Sequence, residues 1–256
     1  MIFTNRNWRY RVLTPSCYDS YANKQFEFVE YIAAHYFLHP LSDQIASRNK
    51  LVFDPKKAAA MYFWYKSADK TDKSIVKYFE EYKNCIDETH QWFNSNYGIY
   101  AYKNKGLQRC IDVLLSDADS RQACFCINNN NAMAPESIDK LCTNTIQFLI
   151  RNDVLIMIVQ MRSSNMLTLL PYDFFIFSVW YAQVYNKLIR KYHSLEVSNI
   201  SIQVASLHRF AADFYAKDIS EYDDNHLDYI FSYDDMCDHN FENILESKLI
   251  NFLNNG

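Results

Sequence analysis

Cys142-Thr-Asn-Thr-Ile-Gln147-Phe148 is followed along the chain by Arg162-Ser163-Ser-Asn165 and then by Pro171-Tyr-Asp173. These segments carry a lone thiol, an arginine beside a serine, and a carboxylate. Between the first two lie β-like apolar runs at 145–150 and 154–160, joined by three polar residues, a pattern that predicts a β-hairpin. The hairpin would bring the thiol and the arginine side by side.

The rest of the chain predicts mainly helices around a few strands. Periodicity predicts helices at 21–38, 55–65, 74–82, 106–115, 171–189 and 241–253, and another from about residue 206. Strands are predicted at 124–127 and 200–204. The helix at 171–189 is apolar nearly all round in its first half, so we expect it at the centre of the fold. No repeat or linker interrupts the chain, and we predict a single α/β domain over 1–256.

Composition excludes several classes of function. A net charge of −4 in 256 residues, without a basic run, argues against a binder of duplex nucleic acid. Three glycines are too few for a phosphate-binding loop of the Rossmann or Walker type. Seven cysteines without metal-finger spacing indicate reduced thiols and no metal site. The absence of a long apolar run predicts a soluble, cytoplasmic protein without a membrane partner.

The motifs and their spacing resemble those of thymidylate synthases and the pyrimidine nucleotide hydroxymethylases. The likeness covers roughly 45–214 and is strongest over 97–175 and 206–210, where Tyr97-Gly98 and the histidine segment Ser206-Leu-His208-Arg-Phe210 also match. It implies an α/β (α+β) fold with a mixed β-sheet covered by helices. It also implies a homodimer paired through that sheet.

Modification of a pyrimidine at C5 needs a nucleophile that adds to C6, and the resemblance assigns this role to Cys142. A thiolate forms near neutral pH only beside positive charge or hydrogen-bond donors, so an arginine close to the thiol is expected. The resemblance places Arg162 and Ser163 on the nucleotide phosphate. Cys124 and Cys126 are expected to be core cysteines.

Three further residues are implied to contact the nucleotide. Arg121 matches an arginine that reaches the phosphate of the partner subunit, while Gln122 replaces a second arginine of that segment. Asp173 stands where thymidylate synthases carry asparagine and cytidylate hydroxymethylases carry aspartate, which suits the N3 acceptor and N4 donor of cytosine. His208 matches a residue that holds the sugar, although Phe210 lacks the hydroxyl of its counterpart. Arg48 is a weak candidate for the phosphate-loop arginine.

The chain departs from the family on the folate side of the site. Met61 stands where the family carries its general acid/base glutamate. Asn165 replaces an aspartate that contacts folate, Leu169 replaces a glycine that leaves room for it, and Trp92 is assigned to the same side. The last residues also differ from the apolar tail that closes over the cofactor.

The sequence therefore predicts a transferase of pyrimidine nucleotide metabolism that resembles deoxycytidylate or cytidylate 5-hydroxymethyltransferase. Its substrate would be a pyrimidine nucleoside monophosphate, and dCMP, CMP and dUMP remain open. Methylenetetrahydrofolate would be its one-carbon donor, a cofactor that the changed residues put in question. Two alternatives stand beside this prediction: C5 modification without folate, for example hydroxylation, and a non-catalytic nucleotide-binding scaffold of the same fold.

Overall fold

The computed structural model describes residues 9–12, 18–19, 24–25, 28–44, 53–86, 91–128, 139–210 and 230–255. Arg48 lies outside these ranges. The strands are β1 Arg9–Val12, β2 Tyr18–Asp19, β3 Lys24–Gln25, β4 Phe28–Leu38, β5 Cys124–Cys126, β6 Thr143–Arg151, β7 Val154–Asn165 and β8 Glu196–Phe210. The helices are α1 Pro55–Ser67, α2 Gly106–Ser116, α3 Leu170–Leu188, α4 Tyr233–Cys237 and α5 Phe241–Asn255. Two 3₁₀ turns, Ser74–Lys77 and Glu80–Cys85, and one π-helical turn, Ile99–Lys103, connect α1 to α2.

Six strands form a mixed sheet in the order β1-β4-β8-β7-β6-β5. Strands β7 and β8 run parallel, and the other neighbours are antiparallel. The predicted hairpin is confirmed, since Arg151 pairs with Val154 across a two-residue turn. Asn152 and Asp153 adopt φ values of 51° and 59°, the left-handed conformation that such a turn requires. The mixed sheet predicted from the sequence is thus present.

Helix α3 is the central helix, as its composition predicts. Every residue from Leu170 to Leu188 is buried except Lys187. Pro171 fits its first turn because the missing backbone N–H would have no helical partner there. Trp180 is fully buried and lies against the rings of Tyr65, Tyr102, Phe125 and Phe177. This helix fixes the position of Asp173 in its first turn.

Helix α1 is confirmed over 55–65 and extends to Ser67, and Asp54 caps it by accepting from the backbone N–H of Lys56 at 2.8 Å. Helix α2 is confirmed and ends at Ser116. Strand β5 and the last helix are also confirmed, the latter extending to Asn255.

Three predicted helices are wrong. Residues 28–38 form β4, and β8 continues through 206–210, where a helix was expected. The two segments pair with each other, from Phe28 with Phe210 to Leu38 with Ile200. The helix-like spacing of β4 arises because its two faces both carry apolar residues, Ile32 and Phe37 being exposed while Ala34 and Leu38 are buried. Residues 74–82 form 3₁₀ turns in place of a regular helix.

The sheet face turned away from α3 is called here the outer sheet face. Phe37 on it is 43% exposed, and Ile156 and Ile158 are half-buried. His35 lies against Phe37 with ring centroids 4.4 Å apart, and its Nε2 is 2.7 Å from Ser201 Oγ. The outer sheet face therefore combines apolar side chains with a few ordered polar ones.

Candidate functional site

Cys142 lies directly before β6, and backbone hydrogen bonds hold it from two sides. Its N–H and that of Thr143 both donate to the hydroxyl of Tyr97, each at 3.2 Å. The carbonyl of Cys142 accepts from the backbone N–H of Arg162 at 2.8 Å. The backbone that carries the thiol is thereby fixed between the Tyr97 segment and β7.

Arg162 lies beside the thiol, as the hairpin predicts. Its Nη2 is 3.8 Å from Cys142 Sγ. Its Nε donates to the carbonyl of Leu141 at 2.6 Å, and Nη2 also donates to that of Lys140 at 3.2 Å. The two hydrogen bonds to the carbonyls of Lys140 and Leu141 hold the guanidinium in place beside the sulfur.

The electrostatics around Cys142 favour the neutral thiol in the free protein. Burial raises its pKa to about 11, against the opposing effect of Arg162. The negative charges of Asp173 and Asp139 raise the pKa further. Because a thiolate is not formed in advance at neutral pH, the sulfur needs a proton acceptor when it attacks.

Asp173 is a buried carboxyl facing the same region. It is 8% exposed, and burial raises its pKa from 3.8 to about 7. The Ser164 hydroxyl opposes this rise in the pKa, although its Oγ makes no hydrogen bond of ordinary geometry among the described residues. At neutral pH the carboxyl is therefore present in both protonation states.

The structure also brings Ser163 and His208 together. Ser163 Oγ is 3.3 Å from His208 Nδ1, and the neighbouring strands β7 and β8 place both residues near the end of the sheet. Asn165 pairs with His208 in register and is 5% exposed. Its Oδ1 accepts from the backbone N–H groups of Leu167 and Thr168 at 2.9 and 3.0 Å, so this amide oxygen shapes the turn before α3.

Three other predicted residues lie on separate segments of the chain. Arg121 is exposed beyond α2, and its carbonyl accepts from the side chain of Gln147 at 2.9 Å. Trp92 is 40% exposed. Met61 is 2% exposed in α1, within the apolar core.

Sequence reasoning missed two residues of the cluster. Tyr65 stacks on Tyr97 with ring centroids 5.3 Å apart, and the charges of Asp173, Asp139 and Cys142 all act on its hydroxyl. Burial, followed by these neighbours, raises the pKa of Tyr65 well above its ordinary value. The sequence could have indicated Tyr65 because it lies four residues after Met61, on the same face of α1.

Asp139 is the second missed residue, three positions before the thiol. It is 1% exposed, and its Oδ2 accepts from the backbone N–H of Ser95 at 2.7 Å. Burial raises its pKa above 3.8, while the Ser95 hydrogen bonds and Arg162 oppose the rise. Only its closeness to Cys142 in the sequence could have indicated it.

The described ranges contain neither a metal-binding cluster nor a membrane-spanning helix. Within them, no cluster of three or more His, Cys, Asp or Glu side chains is placed to hold a metal ion. No helix in the described part of the chain has the length and apolarity needed to cross a membrane.

The six cysteines located in the described part of the chain are free thiols, namely Cys85, Cys110, Cys124, Cys126, Cys142 and Cys237. Cys124 and Cys126 are exposed, so their prediction as core residues is wrong.

Comparison with known proteins gives one sequence likeness and one structural likeness. No protein-family profile matches the chain. It is 27% identical over 172 residues to the deoxycytidylate 5-hydroxymethyltransferase of Enterobacteria phage T4, covering 60% of this chain and 67% of that enzyme. The enzymes of the same name from phages T2 and T6 match equally.

Thermostable thymidylate synthase A from Bacillus subtilis has the same fold, with a TM-score of 0.57 at 12% identity over 73% of this chain and 69% of that one. The sequence likeness to the phage enzymes and the shared fold together support a divergent member of the thymidylate synthase-like family.

Proposed function

We propose that the protein is an enzyme that modifies C5 of a cytidine monophosphate after Cys142 adds to C6. The observation that carries this proposal is the position of the Cys142 thiol, whose sulfur lies 3.8 Å from the fixed guanidinium of Arg162. The negative charge of Asp173 also acts on this thiol. The phage relatives, named as deoxycytidylate 5-hydroxymethyltransferases, support a C5 reaction on this class of nucleotide.

Asp173 recognises the base in this proposal. A protonated carboxyl donates to N3 of cytosine and accepts from its N4 amino group, which satisfies both edges of the base. Burial keeps the carboxyl partly protonated, since its pKa is about 7. An ionised carboxylate has no proton to donate to N3, so cytosine binding should weaken above neutral pH.

The remaining nucleotide contacts involve the end of strands β7 and β8 and a second subunit. Ser163 and His208 lie together at the end of β7 and β8, where a phosphate and a sugar could be held beside Arg162. Arg121 lies apart in its own subunit, so it would act on the partner's nucleotide in a homodimer. The outer sheet face, with Phe37 43% exposed, is the surface on which that dimer would form.

The residues on the folate side do not fit methylenetetrahydrofolate. The Asn165 amide oxygen is engaged by the turn at Leu167 and Thr168, and Met61 offers no acid. Buried Asp139 adds a carboxyl to the segment before the thiol. These residues favour C5 modification without folate.

A second candidate function is a nucleotide-binding scaffold without catalysis. The observation that favours it is the thiol, whose pKa of about 11 keeps it protonated in the free protein. The two candidates differ in whether the bound nucleotide undergoes chemistry at C5.

Release of tritium from C5-labelled dCMP, CMP and dUMP, with and without methylenetetrahydrofolate, tests the proposal. We expect release from the cytidine nucleotides in the absence of folate and little from dUMP. Binding of the cytidine nucleotides without any release would refute the enzyme and leave the scaffold. Release that depends fully on folate would contradict our interpretation of the folate side.

A further inference from the structure

A carboxylate lies beside the histidine that is proposed to hold the sugar. Glu30 on β4 is directly opposite His208 on β8 in the register of the two strands. Directly opposed residues point to the same face of a sheet, with their Cβ atoms about 4.5–5.5 Å apart. Glu30 and His208 therefore present a hydrogen-bond acceptor and an imidazole to the same space.

Two serines orient these side chains. Ser206 Oγ donates to Glu30 Oε1, and Ser163 Oγ is 3.3 Å from His208 Nδ1. Ser163 and Ser206 are themselves paired in register across β7 and β8. Because Ser206 engages one of the two carboxylate oxygens, Glu30 Oε2 can accept a hydrogen bond from a ligand.

This end of the sheet is accessible to a ligand. Glu30 and His208 are half-buried, and Ile32, the next residue on the same face of β4, is 41% exposed. Further along this face, the ring of Tyr36 lies against that of Phe174 on α3, with centroids 5.4 Å apart. Helix α3 thus covers the later part of β4, whereas the part that carries Glu30 stays accessible.

A half-buried carboxylate at this place suits a hydroxyl group of the ligand. An ionised carboxyl only accepts hydrogen bonds, so Glu30 attracts a hydroxyl donor and repels a phosphate. The phosphate of the proposed nucleotide would accordingly lie on the side of Arg162, and the sugar on the side of Glu30. Ribose, unlike deoxyribose, carries a 2′-hydroxyl next to its 3′-hydroxyl.

We propose that Glu30 accepts a hydrogen bond from the ribose 2′-hydroxyl while His208 holds the 3′-hydroxyl, so that the site selects CMP over dCMP. The inference rests on the proposed function and names its sugar. Two adjacent hydroxyls fit two side chains that are cross-strand neighbours. Bound dCMP would desolvate the carboxylate without supplying a hydroxyl, which weakens its binding. The protein would differ in this from the phage relatives, whose name specifies a deoxynucleotide.

Titration calorimetry with CMP and dCMP tests the inference. The wild type should bind CMP about 10–100-fold more tightly than dCMP, the factor expected for one hydrogen bond to a charged group. Glu30→Ala removes the acceptor and should bring the two affinities within about threefold, mainly by weakening CMP binding. Glu30→Gln keeps an oxygen but loses the charge, so its preference for CMP should lie between those of the wild type and Glu30→Ala.

Glu196→Ala is the matched control, because Glu196 is an exposed carboxylate at the other end of β8 and should leave both affinities unchanged. A wild type that binds both nucleotides equally, or dCMP better, overturns the role of Glu30 and leaves the proposed function in place. A preference that Glu30→Gln keeps in full also overturns this role, even where Glu30→Ala fails to fold. Wild-type protein that binds neither nucleotide overturns the proposed function and this inference together.

Discussion

Asp173→Asn should stabilise the free protein at alkaline pH. The native carboxyl keeps its proton up to a pKa of about 7, whereas its ordinary value is 3.8. Between these values the native state binds more protons than the unfolded chain, so stability falls as pH rises. At about 1.36 kcal/mol for each tenfold step, the full cost above pH 7 reaches about 4 kcal/mol.

Asparagine does not ionise, so the variant should lose this part of the pH dependence. We expect the two proteins to have similar stability near pH 4, and the variant to be more stable at pH 8 by up to about 4 kcal/mol. The site would thus contain a carboxyl that is retained at a cost to stability, as a group needed for base recognition would be.

Urea unfolding followed by tryptophan fluorescence between pH 4.5 and 8 measures the difference. Asp112→Asn is the control, because Asp112 is exposed on α2, where it accepts from the side chain of Gln108, and its loss should change stability by less than about 0.5 kcal/mol. If Asp173→Asn keeps the full pH dependence of the wild type, the buried carboxyl is not its source. The m-values should agree between the proteins, so that the midpoints can be compared.

Two other substitutions and the state of assembly can be predicted. Tyr97→Phe removes the acceptor for the N–H groups of Cys142 and Thr143 and should cost about 1–3 kcal/mol in chemical denaturation, a cost that unchanged stability would contradict. Gly98→Ala places a Cβ 1.6 Å from the carbonyl oxygen of Tyr65, so thermal unfolding should show a loss of at least about 3 kcal/mol, and a stable variant would contradict this packing. Sedimentation should find a dimer at micromolar concentration, and a monomer would remove the outer sheet face as its interface.

Local signals in the sequence predict much of the fold. The polar turn at Asn152 and Asp153 predicts the hairpin, and Pro171 with the apolar run behind it predicts α3. Strand β4 was missed because its partners, such as Ser206 and Val204, are far away in the sequence. Apolar residues on both faces of a strand imitate helical spacing, and only long-range pairing distinguishes the two.

The candidate site, like the fold, was predicted where local sequence signals suffice and missed where long-range contacts decide. Motif spacing brings Cys142 and Arg162 together, because one hairpin carries both. Asp139 and Tyr65 interact electrostatically with the thiol only because tertiary packing holds them, Asp139 through Ser95 N–H and Tyr65 through stacking on Tyr97. No motif encodes this packing. The chemistry of the site therefore depends on neighbours that tertiary structure assembles.

Cys142→Ser tests the central claim most directly. With C5-tritiated cytidine monophosphates at neutral pH, the wild type should release tritium and the variant should release none above background. Nucleotide affinity should stay within about 1 kcal/mol, because the thiol acts in the covalent step and contributes little to ground-state binding. Tritium release that continues unchanged in Cys142→Ser would contradict the account, because the reaction would then proceed without the thiol around which the site is built.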